Sequence, residues 1–156
     1  MADILVFGYE SKPNFEFANA APHGFSEDGV EWLTVEHYIG AHQFTGEQHA
    51  ELREKISKAP RPRKVALLVQ ANARYVRPDW HEVRDEIMLR ALRLKFADPD
   101  LARKLLNTGN IALAFDDNRE KYWSIGLRGE GQNRLGNLLM QVRDELGATR
   151  ADPGSA

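Results

Sequence analysis

The sequence contains no cysteine among its 156 residues. This absence excludes a disulfide framework, a thiolate metal site and a cysteine nucleophile, and it is typical of proteins from a reducing compartment. The chain also lacks any run approaching the roughly 20 apolar residues of a membrane-spanning helix. Its first residues, Met1 to Tyr9, carry Asp3 and lack the basic start of a signal peptide. We therefore expect a cytoplasmic protein that does not bind membranes.

Motifs for metal binding and for serine hydrolysis are also missing. His37 and His42 are five positions apart, which places them on different faces of a helix, and no His-Glu-x-x-His motif occurs. No Gly-x-Ser-x-Gly motif occurs either, so a nucleophilic serine at a strand-to-helix elbow is not supported. The sequence predicts no protein-held metal and no cofactor.

Charge is distributed unevenly along the chain, although the net charge is only −2. Between Arg53 and Lys95 there are 12 basic and 5 acidic side chains, which leaves 9 basic and 18 acidic side chains elsewhere. A basic centre of this kind favours an anionic ligand over duplex nucleic acid, whose binders usually carry a broad positive field. The alternative is that most of these residues are solvated faces of helices.

Hydrophobic spacing predicts a mainly α-helical fold. The apolar run from Ile4 to Tyr9 predicts a strand followed by a loop, and Asp28-Gly29 predicts the turn of a β-hairpin that returns through Val30 to Leu33. We therefore expect a small N-terminal antiparallel β element followed by helices. Start signals for helices occur at Thr34, Pro62, Asp79, Asp98 and Asn133. The longest helix is expected to bury Trp80, Val83, Ile87, Ala91 and Leu94.

The length is that of one domain, which we place over residues 1–147 with a flexible tail at 148–156. The last helix is expected to end at Gly147. Residues Asn110 to Gln132 show no hydrophobic period and are rich in glycine. A long irregular segment inside a compact domain is more often functional than idle.

Glu36 is the first candidate site residue. With Thr34 as the N-cap, Glu36 falls in the first turn of a helix, where a carboxylate is favoured. Glu36, Gly40 and Gln43 then lie on one face, with glycine forming a notch between two polar residues. Two interpretations remain open: Glu36 is a catalytic carboxylate facing a small-molecule cleft, or it complements the helix dipole while Gly40 allows close packing.

The segment from Gly129 to Arg134 is the second candidate. Gly129, Gly131 and the following helix start would offer free backbone N–H groups beside Arg134, which suits a phosphate. The segment is neither a P-loop nor a dinucleotide fingerprint, and a plain glycine-rich turn is the alternative. These groups suit cleavage of a glycosidic bond when combined with aromatic and amide side chains at Trp32, Tyr38, Trp123, Asn19, Gln43 and Asn133.

Several motifs, in one order along the chain, resemble those of the NADAR or YbiA-like family. Trp32 to Phe44 resembles its central Glu-His-Tyr helix, and Leu92 to Phe96 resembles a Leu-x-x-Lys-Phe element. The C-terminal signature is matched closely by Tyr122-Trp123 and by Asn133 to Arg143. Phe17-Ala18-Asn19 resembles the family's Ser-Asn-Phe region, and Trp80 with Met88 resembles its Trp-and-Met helix. The resemblance runs from about Phe7 to Leu146.

This resemblance implies a mainly helical domain with N-glycosidase chemistry. Family members hydrolyse the C1′–N bond of ribose-phosphate-bearing pyrimidine intermediates of riboflavin synthesis, or remove ADP-ribose from guanine. The implied partners are thus a phosphoribosyl or ADP-ribosyl small molecule and ADP-ribosylated guanine in nucleic acid. By the same resemblance Glu36 would be the catalytic carboxylate and Asn19 would contact the substrate. Trp123, Asn133 and the loop from Gly129 to Gly131 would hold the sugar and phosphate.

The sequence also departs from the family pattern. Gln43 stands where the family has a lysine that could anchor a charge or form a Schiff base with the opened ribose C1′. Phe115 stands near an acidic position of the family, for which Asp116, Asp117 and Glu120 are candidate replacements. These departures leave open a catalytically inactive sensor that binds ADP-ribose or a related nucleotide. The basic centre leaves open another alternative, a nucleic-acid-associated module that approaches guanine-modified DNA.

Overall fold

The structure, a computed structural model, describes residues 3–8 and 13–151. The end of the predicted first strand at Tyr9, the loop residues Ser11 and Lys12, and the last residues of the predicted tail, 152–156, lie outside this part. Backbone contacts divide the chain into two units. The helical unit comprises residues 19–95, and the terminal unit comprises the residues before 19 and after 95. The expectation of one domain over 1–147 stays a prediction.

The described residues form six α-helices and four short strands, which confirms the mainly α fold with a small antiparallel β element. The strands are β1 (Ile4–Phe7), β2 (Phe25–Glu27), β3 (Val30–Trp32) and β4 (Ala112–Phe115). The helices are α1 (Val35–His42), α2 (Ala50–Ser57), α3 (Pro62–Ala71), α4 (Trp80–Lys95), α5 (Pro99–Leu106) and α6 (Arg134–Ala151). No described helix combines the length and the apolar composition that crossing a membrane requires.

The helical unit begins with the predicted hairpin. Strands β2 and β3 pair antiparallel, with Glu27 opposite Val30. The turn residues Asp28 and Gly29 both have positive φ angles, 52° and 82°, which is the backbone geometry that an Asp-Gly hairpin turn adopts. Two residues after β3, the Thr34 hydroxyl accepts a hydrogen bond from the His37 N–H (3.2 Å). This cap starts α1 at the predicted position.

Helix α1 packs against α2, α3 and α4. Val35, Tyr38, Ile39 and Ala41 are buried in these contacts. The α4 helix presents a different stripe from the predicted one, because Trp80, Val83 and Leu94 are only partly buried. The residues that α4 buries are Ile87, Met88, Ala91, Leu92 and Lys95. The stripe is rotated toward Met88 and Leu92, so the predicted face was right only at Ile87 and Ala91.

In the terminal unit, β1 does not belong to the hairpin sheet. It pairs in parallel with β4, with Ile4 opposite Ala112 and Phe7 opposite Phe115. The first predicted strand therefore lies outside the antiparallel hairpin sheet, and the segment from Asn110, in which no hydrophobic period was found, contains strand β4. A stack of aromatic rings joins Phe7 to Phe115 (5.5 Å between ring centroids), and Phe17 packs against both Phe7 and Phe96.

Helix α6 covers β4 and continues past its predicted end. A Cβ at Gly136 would clash with the Leu113 carbonyl oxygen, so glycine is required where the helix meets the strand. Further along α6, the buried Arg143 donates to the Thr108 hydroxyl (2.9 Å) and to the Ile111 carbonyl (2.7 Å). The helix runs through Gly147 to Ala151. Glycine lowers helix propensity without terminating a helix by itself.

Candidate active site

Glu36 lies in the first turn of α1, and its side chain is partly exposed. Its backbone N–H donates to the carbonyl of Asn19 (3.2 Å). Together with the bond from the His37 N–H to Thr34, this contact satisfies two of the N–H groups that a helix start leaves without helical partners. The positive end of α1 also favours a negative charge on Glu36. The structure thus holds the predicted catalytic carboxylate at a well-anchored helix start.

Asn19 adjoins Glu36 through this backbone hydrogen bond. Its side chain is buried at 5% exposure, and its Nδ2 donates to the Met88 Sδ (3.5 Å). The other amide atom, Oδ1, has no hydrogen-bond partner among the described residues. Buried polar atoms are rarely left unpaired in proteins. The structure therefore joins the backbones of Asn19 and Glu36 and leaves on Asn19 an amide oxygen that can still accept a hydrogen bond.

The glycine of the proposed notch is a packing residue. A Cβ at Gly40 would lie 2.6 Å from the Val65 Cγ1 of α3 and 3.5 Å from the Ile56 Cγ2 of α2. The packing interpretation of Gly40 was therefore correct, and α3 covers the helix face between Glu36 and Gln43. Gln43 ends α1, and its carbonyl accepts a hydrogen bond from the Arg77 N–H (2.8 Å). A role for its partly exposed side chain in binding substrate stays a prediction.

Trp32 and Tyr38 occupy positions in the core of the helical unit. Their rings pack edge to face with centroids 5.4 Å apart. Tyr38 is fully buried, and its hydroxyl accepts from the Arg90 Nε (2.5 Å) and donates to the Glu27 Oε1 (2.9 Å). Burial raises the pKa of Tyr38 to about 12. This network fastens the hairpin to α1 and α4, and a substrate contact by either ring stays a prediction.

Two further candidates, Trp123 and Asn133, lie in the terminal unit within the loop that joins β4 to α6. The loop is organised by Glu120, whose carboxylate accepts hydrogen bonds from the N–H groups of Tyr122, Trp123 and Ser124 (2.7, 2.7 and 3.0 Å). The Ser124 hydroxyl also donates to the Glu120 carbonyl. Glu120 therefore stabilises the conformation of this loop. A role for it in place of the family's acidic residue stays a prediction, as does one for Asp117, which pairs with Arg119 (3.0 Å).

The backbone N–H groups that were expected to bind phosphate are already engaged. The N–H of Gly131 donates to Ile125, that of Asn133 to Ser124 and that of Arg134 to Tyr122, over 2.7 to 3.0 Å. Gly129, with φ of 78°, turns the chain ahead of these contacts. The expectation of free N–H groups was therefore wrong from Gly131 onward. Substrate binding by Gly129, Gly131 or the Arg134 side chain stays a prediction.

The Asn133 side chain supports the end of β4. Its Oδ1 accepts from the Phe115 N–H (3.0 Å), and its Nδ2 donates to the Leu113 carbonyl (2.9 Å). Asn133 has a φ of 51°, a conformation that asparagine tolerates better than most residues. These bonds occupy one donor and one acceptor of the amide. Contact with a substrate sugar or phosphate stays a prediction for Asn133.

Lys95 is a further candidate site residue. In the sequence it belongs to the Leu-x-x-Lys-Phe element and to the basic centre. Its side chain is 2% exposed at the end of α4. Lysine is almost never fully buried unless its charge is compensated, because burying an ammonium group is strongly unfavourable. The signal in the sequence is its spacing from Ala91 and Leu92, which places it on the buried stripe of the helix.

The residues of the chain were compared with known proteins. A family model described as the NADAR domain matches residues 6–147. The chain is 36% identical over 131 residues to the N-glycosidase Npun_R5314 of Nostoc punctiforme, covering 83% of this chain and 84% of that protein. It is 34% identical over 143 residues to the riboflavin biosynthesis protein VVA0006 of Vibrio vulnificus, covering 90% of this chain and 38% of that protein.

The chain also resembles the N-glycosidase YbiA of Escherichia coli. The two sequences are 33% identical over 148 residues, which cover 94% of this chain and 91% of that protein. The solved NMR structure of the E. coli protein YbiA superposes with a TM-score of 0.87, over 97% of this chain and 89% of the other. The similarity therefore extends over nearly all of both chains, in sequence and in fold.

Proposed function

The chain belongs to the NADAR domain family, and from that membership we propose that it is an N-glycosidase, an enzyme that hydrolyses the bond between ribose C1′ and a nitrogen of a base. Relatives named N-glycosidases align with more than four fifths of the chain. The observation on this chain that carries the proposal is the backbone hydrogen bond from Glu36 to Asn19 at the start of α1, with the Asn19 Oδ1 buried and without a partner among the described residues.

Glu36 is the catalytic carboxylate in this proposal. As the C1′–N bond breaks, its electron pair leaves with the base, and positive charge develops on the ribose ring. The carboxylate stabilises that charge and accepts a proton from the water whose oxygen bonds to C1′. The proton then reaches the nitrogen of the departing base, so the products are free base and ribose with a hydroxyl at C1′.

Asn19 positions the substrate in this scheme. Its buried Oδ1 needs a hydrogen-bond donor, and a ribose hydroxyl or an amino group of the base supplies one. Leaving such an acceptor unpaired in the absence of substrate is unfavourable, so its pairing contributes to binding. Glu36 and Asn19 together provide one charged group for the reaction and one polar group for orientation.

The proposed substrate is a phosphoribosyl or ADP-ribosyl compound. One relative is named a riboflavin biosynthesis protein, which supports a phosphoribosyl pyrimidine of that pathway. The family resemblance adds ADP-ribosylated guanine, free or in nucleic acid. A single carboxylate and a water molecule are sufficient for the hydrolysis, so the proposal includes neither a metal nor a cofactor.

The test is mass spectrometry of base release from phosphoribosyl-aminopyrimidines and from ADP-ribosylated guanosine. We expect Glu36→Gln to slow release about a thousandfold, because general acid–base groups contribute on that order. The matched control is Glu82→Gln, which changes an exposed first-turn glutamate of α4 in the same unit. Both glutamates lie in the first turn of a helix, so the control accounts for the loss of a carboxylate charge at a helix start.

Three outcomes are informative. Loss of turnover in Glu36→Gln alone supports the proposal, and the substrate that is cleaved decides between the two classes. Equal turnover in both variants removes Glu36 from the mechanism. If the wild type binds ADP-ribose without releasing base from any substrate, the protein is a nucleotide-binding sensor, and the replacement of the family lysine by Gln43 accounts for the lost reaction.

A further inference from the structure

The helical unit carries a groove of about 980 Å³ beside the β2–β3 hairpin, which we call the hairpin groove. It is lined by the hairpin, by α2 and by the end of α1 with the residues that follow it. Helix α1 contributes Ala41 and His42, which the helical period places on the other side from Glu36. Among the described residues that line the groove, neither Glu36 nor Asn19 occurs. A ligand bound here would therefore lie apart from the candidate active site.

A buried hydrogen-bond donor at the hairpin groove has no acceptor. Trp32 is 8% exposed, and its Nε1 is buried without a hydrogen-bond partner among the described residues. An indole N–H can only donate, and buried polar atoms are rarely left unpaired. The rings of Trp32 and Phe44, the latter 1% exposed, offer almost no open surface for stacking. Recognition in this groove therefore depends on polar atoms, and the Trp32 edge requires an oxygen acceptor.

Arg53 brings a positive charge to the same groove. Its Nη1 donates to the carbonyls of Phe44 and Gly46 (3.2 and 2.8 Å), which holds the guanidinium just beyond the end of α1. Both of these acceptors are neutral. The Nε and Nη2 donors have no partner within the part of the chain that the structure describes, and a guanidinium fixed in this way can bind an oxyanion through two parallel hydrogen bonds.

The other charges of the hairpin groove are paired or exposed. Each remaining lysine or arginine that lines it binds an acid: Arg77 binds Asp79 (2.6 Å) and Lys58 binds Glu54 (2.7 Å). On the hairpin, Asp28 and Glu31 are exposed, so water and salt screen their charges. Among the described residues of the groove, Arg53 is therefore the cation available to a negatively charged ligand.

His42 supplies a directed acceptor between these two donors. Its Nδ1 lies 2.7 Å from the Tyr38 carbonyl and must therefore carry the proton and donate it. The ring stacks on Tyr38, with centroids 4.0 Å apart, and lies 5.7 Å from the Trp32 ring. Burial lowers the pKa of His42, which favours the neutral ring. In that ring Nε2 accepts, and it has no partner among the described residues.

We propose that the hairpin groove binds a phosphate group that carries one proton, either as inorganic phosphate or as part of a small phosphomonoester. Its oxygens accept hydrogen bonds from the Arg53 guanidinium and the Trp32 Nε1, and its P–O–H group donates to the His42 Nε2. A carboxylate or a sulfate has no proton to donate near neutral pH, so its negative oxygen would face the His42 lone pair. The second pKa of phosphomonoesters, about 6, keeps their protonated form accessible.

The test is a titration with inorganic phosphate near neutral pH, with sulfate at matched ionic strength as the tetrahedral anion that lacks a proton. Binding is followed by NMR through the indole N–H of Trp32, which is assigned among the three tryptophans by Trp32→Phe. We expect phosphate to bind with a dissociation constant of about 1 mM and to move this signal downfield. Sulfate should bind about tenfold more weakly, because the His42 acceptor is left unpaired.

Arg53→Gln tests the charge, since glutamine can still donate to the carbonyls that Arg53 contacts. We expect phosphate to bind at least about tenfold more weakly, because a charge-assisted pair is lost. The matched control is Arg63→Gln, which removes an exposed arginine of α3 in the same unit and should bind phosphate as the wild type does.

His42→Gln tests the acceptor. The amide nitrogen of glutamine can donate to either anion, so we expect this variant to bind sulfate and phosphate equally. Loss of structure alone would not raise the affinity for sulfate relative to phosphate. Glycerol 1-phosphate separates the two sources of the group: tighter binding than inorganic phosphate assigns the groove to an organic phosphate, and weaker binding assigns it to the free ion.

The proposal is overturned if the wild type binds sulfate as tightly as phosphate, since the groove then holds an adventitious ion only. It is also overturned if phosphate does not bind, if Arg53→Gln binds it unchanged, or if the shifts appear at Trp80 or Trp123 instead of Trp32. The measurement needs no glycosidase substrate. Its result is therefore independent of whether Glu36 acts in hydrolysis.

Discussion

At the scale of single residues, Lys95 is a lysine whose side chain the fold buries almost completely. Its ammonium group is buried on the same stripe of α4 as Ala91 and Leu92. Lys95→Met keeps an unbranched chain of similar volume and removes the charge. If the amine serves the reaction, we expect turnover to fall at least about a hundredfold. Base release and thermal unfolding are measured together.

Lys55→Met is the matched control for this substitution, because Lys55 is exposed on α2 in the same unit. It should leave turnover unchanged. A strong drop in the melting temperature of Lys95→Met would instead assign Lys95 to the support of the fold. Residues such as Lys95 limit prediction from sequence. Its spacing from Ala91 and Leu92 favours the buried stripe, its charge favours solvent, and only the packing around α4 decides between the two.

At the scale of elements, the loop between β4 and α6 depends on one carboxylate. Glu120→Ala would leave the N–H groups of Tyr122, Trp123 and Ser124 without their acceptor. We expect a loss of about 3 kcal/mol, roughly 1 kcal/mol for each bond. Amide hydrogen exchange should accelerate at those three residues, and denaturant unfolding gives the free energy.

Glu130→Ala provides the comparison within the same loop. The Glu130 carboxylate accepts from the Arg128 N–H and pairs with Lys121 (3.3 Å), but both contacts are exposed. Its removal should change stability by less than about 1 kcal/mol. If both variants lose the same free energy, Glu120 has no special task in the loop.

The elements that were predicted correctly are those specified by neighbouring residues. The cap at Thr34, the cap at Asp98 and the Asp-Gly turn each act within about three positions, so their side chains alone indicate the structure. The pairing of β1 with β4 could not be predicted in this way. Ile4 and Ala112 are far apart in the chain, and strands of four residues carry too short a pattern to specify a partner.

The candidate site shows the same difference between features that neighbouring residues specify and features that depend on tertiary contacts. Glu36 could be placed at a helix start from its position after Thr34, whereas the unpaired Oδ1 of Asn19 depends on the packing of Met88 from a distant helix. The backbone N–H groups before α6 looked free because glycine-rich segments often bind anions. Their engagement by residues 121–125 is a tertiary contact that no local pattern reveals.

At the scale of the whole molecule, buried titratable groups should lower the free energy of unfolding at both acid and alkaline pH. His37 is fully buried, with Nδ1 2.8 Å from the Thr34 hydroxyl and Nε2 2.8 Å from the Ala59 carbonyl. Burial lowers the pKa of His37 and of His42 below 6.5. The unfolded chain therefore binds more protons than the folded chain below pH 6.5, and stability should fall as the pH is lowered from there.

Tyr38 acts at the alkaline end with the opposite sign. Its pKa rises from 10.0 to about 12 on folding, so the folded chain holds the proton that the unfolded chain loses. Stability should therefore fall above pH 10, by about 2 kcal/mol once the pH reaches 12. We expect denaturant unfolding to give a plateau between pH 6.5 and 10. Tyr38→Phe should be less stable on the plateau, because Glu27 and Arg90 lose a shared partner, but its alkaline slope should be shallower.

The loss of stability between pH 6.5 and 5 belongs to the histidines, since carboxylates with lowered pKa values such as Asp79 remain ionised there. A profile that is flat from pH 5 to 12 would show that neither the histidines nor Tyr38 are held in their neutral forms by the fold.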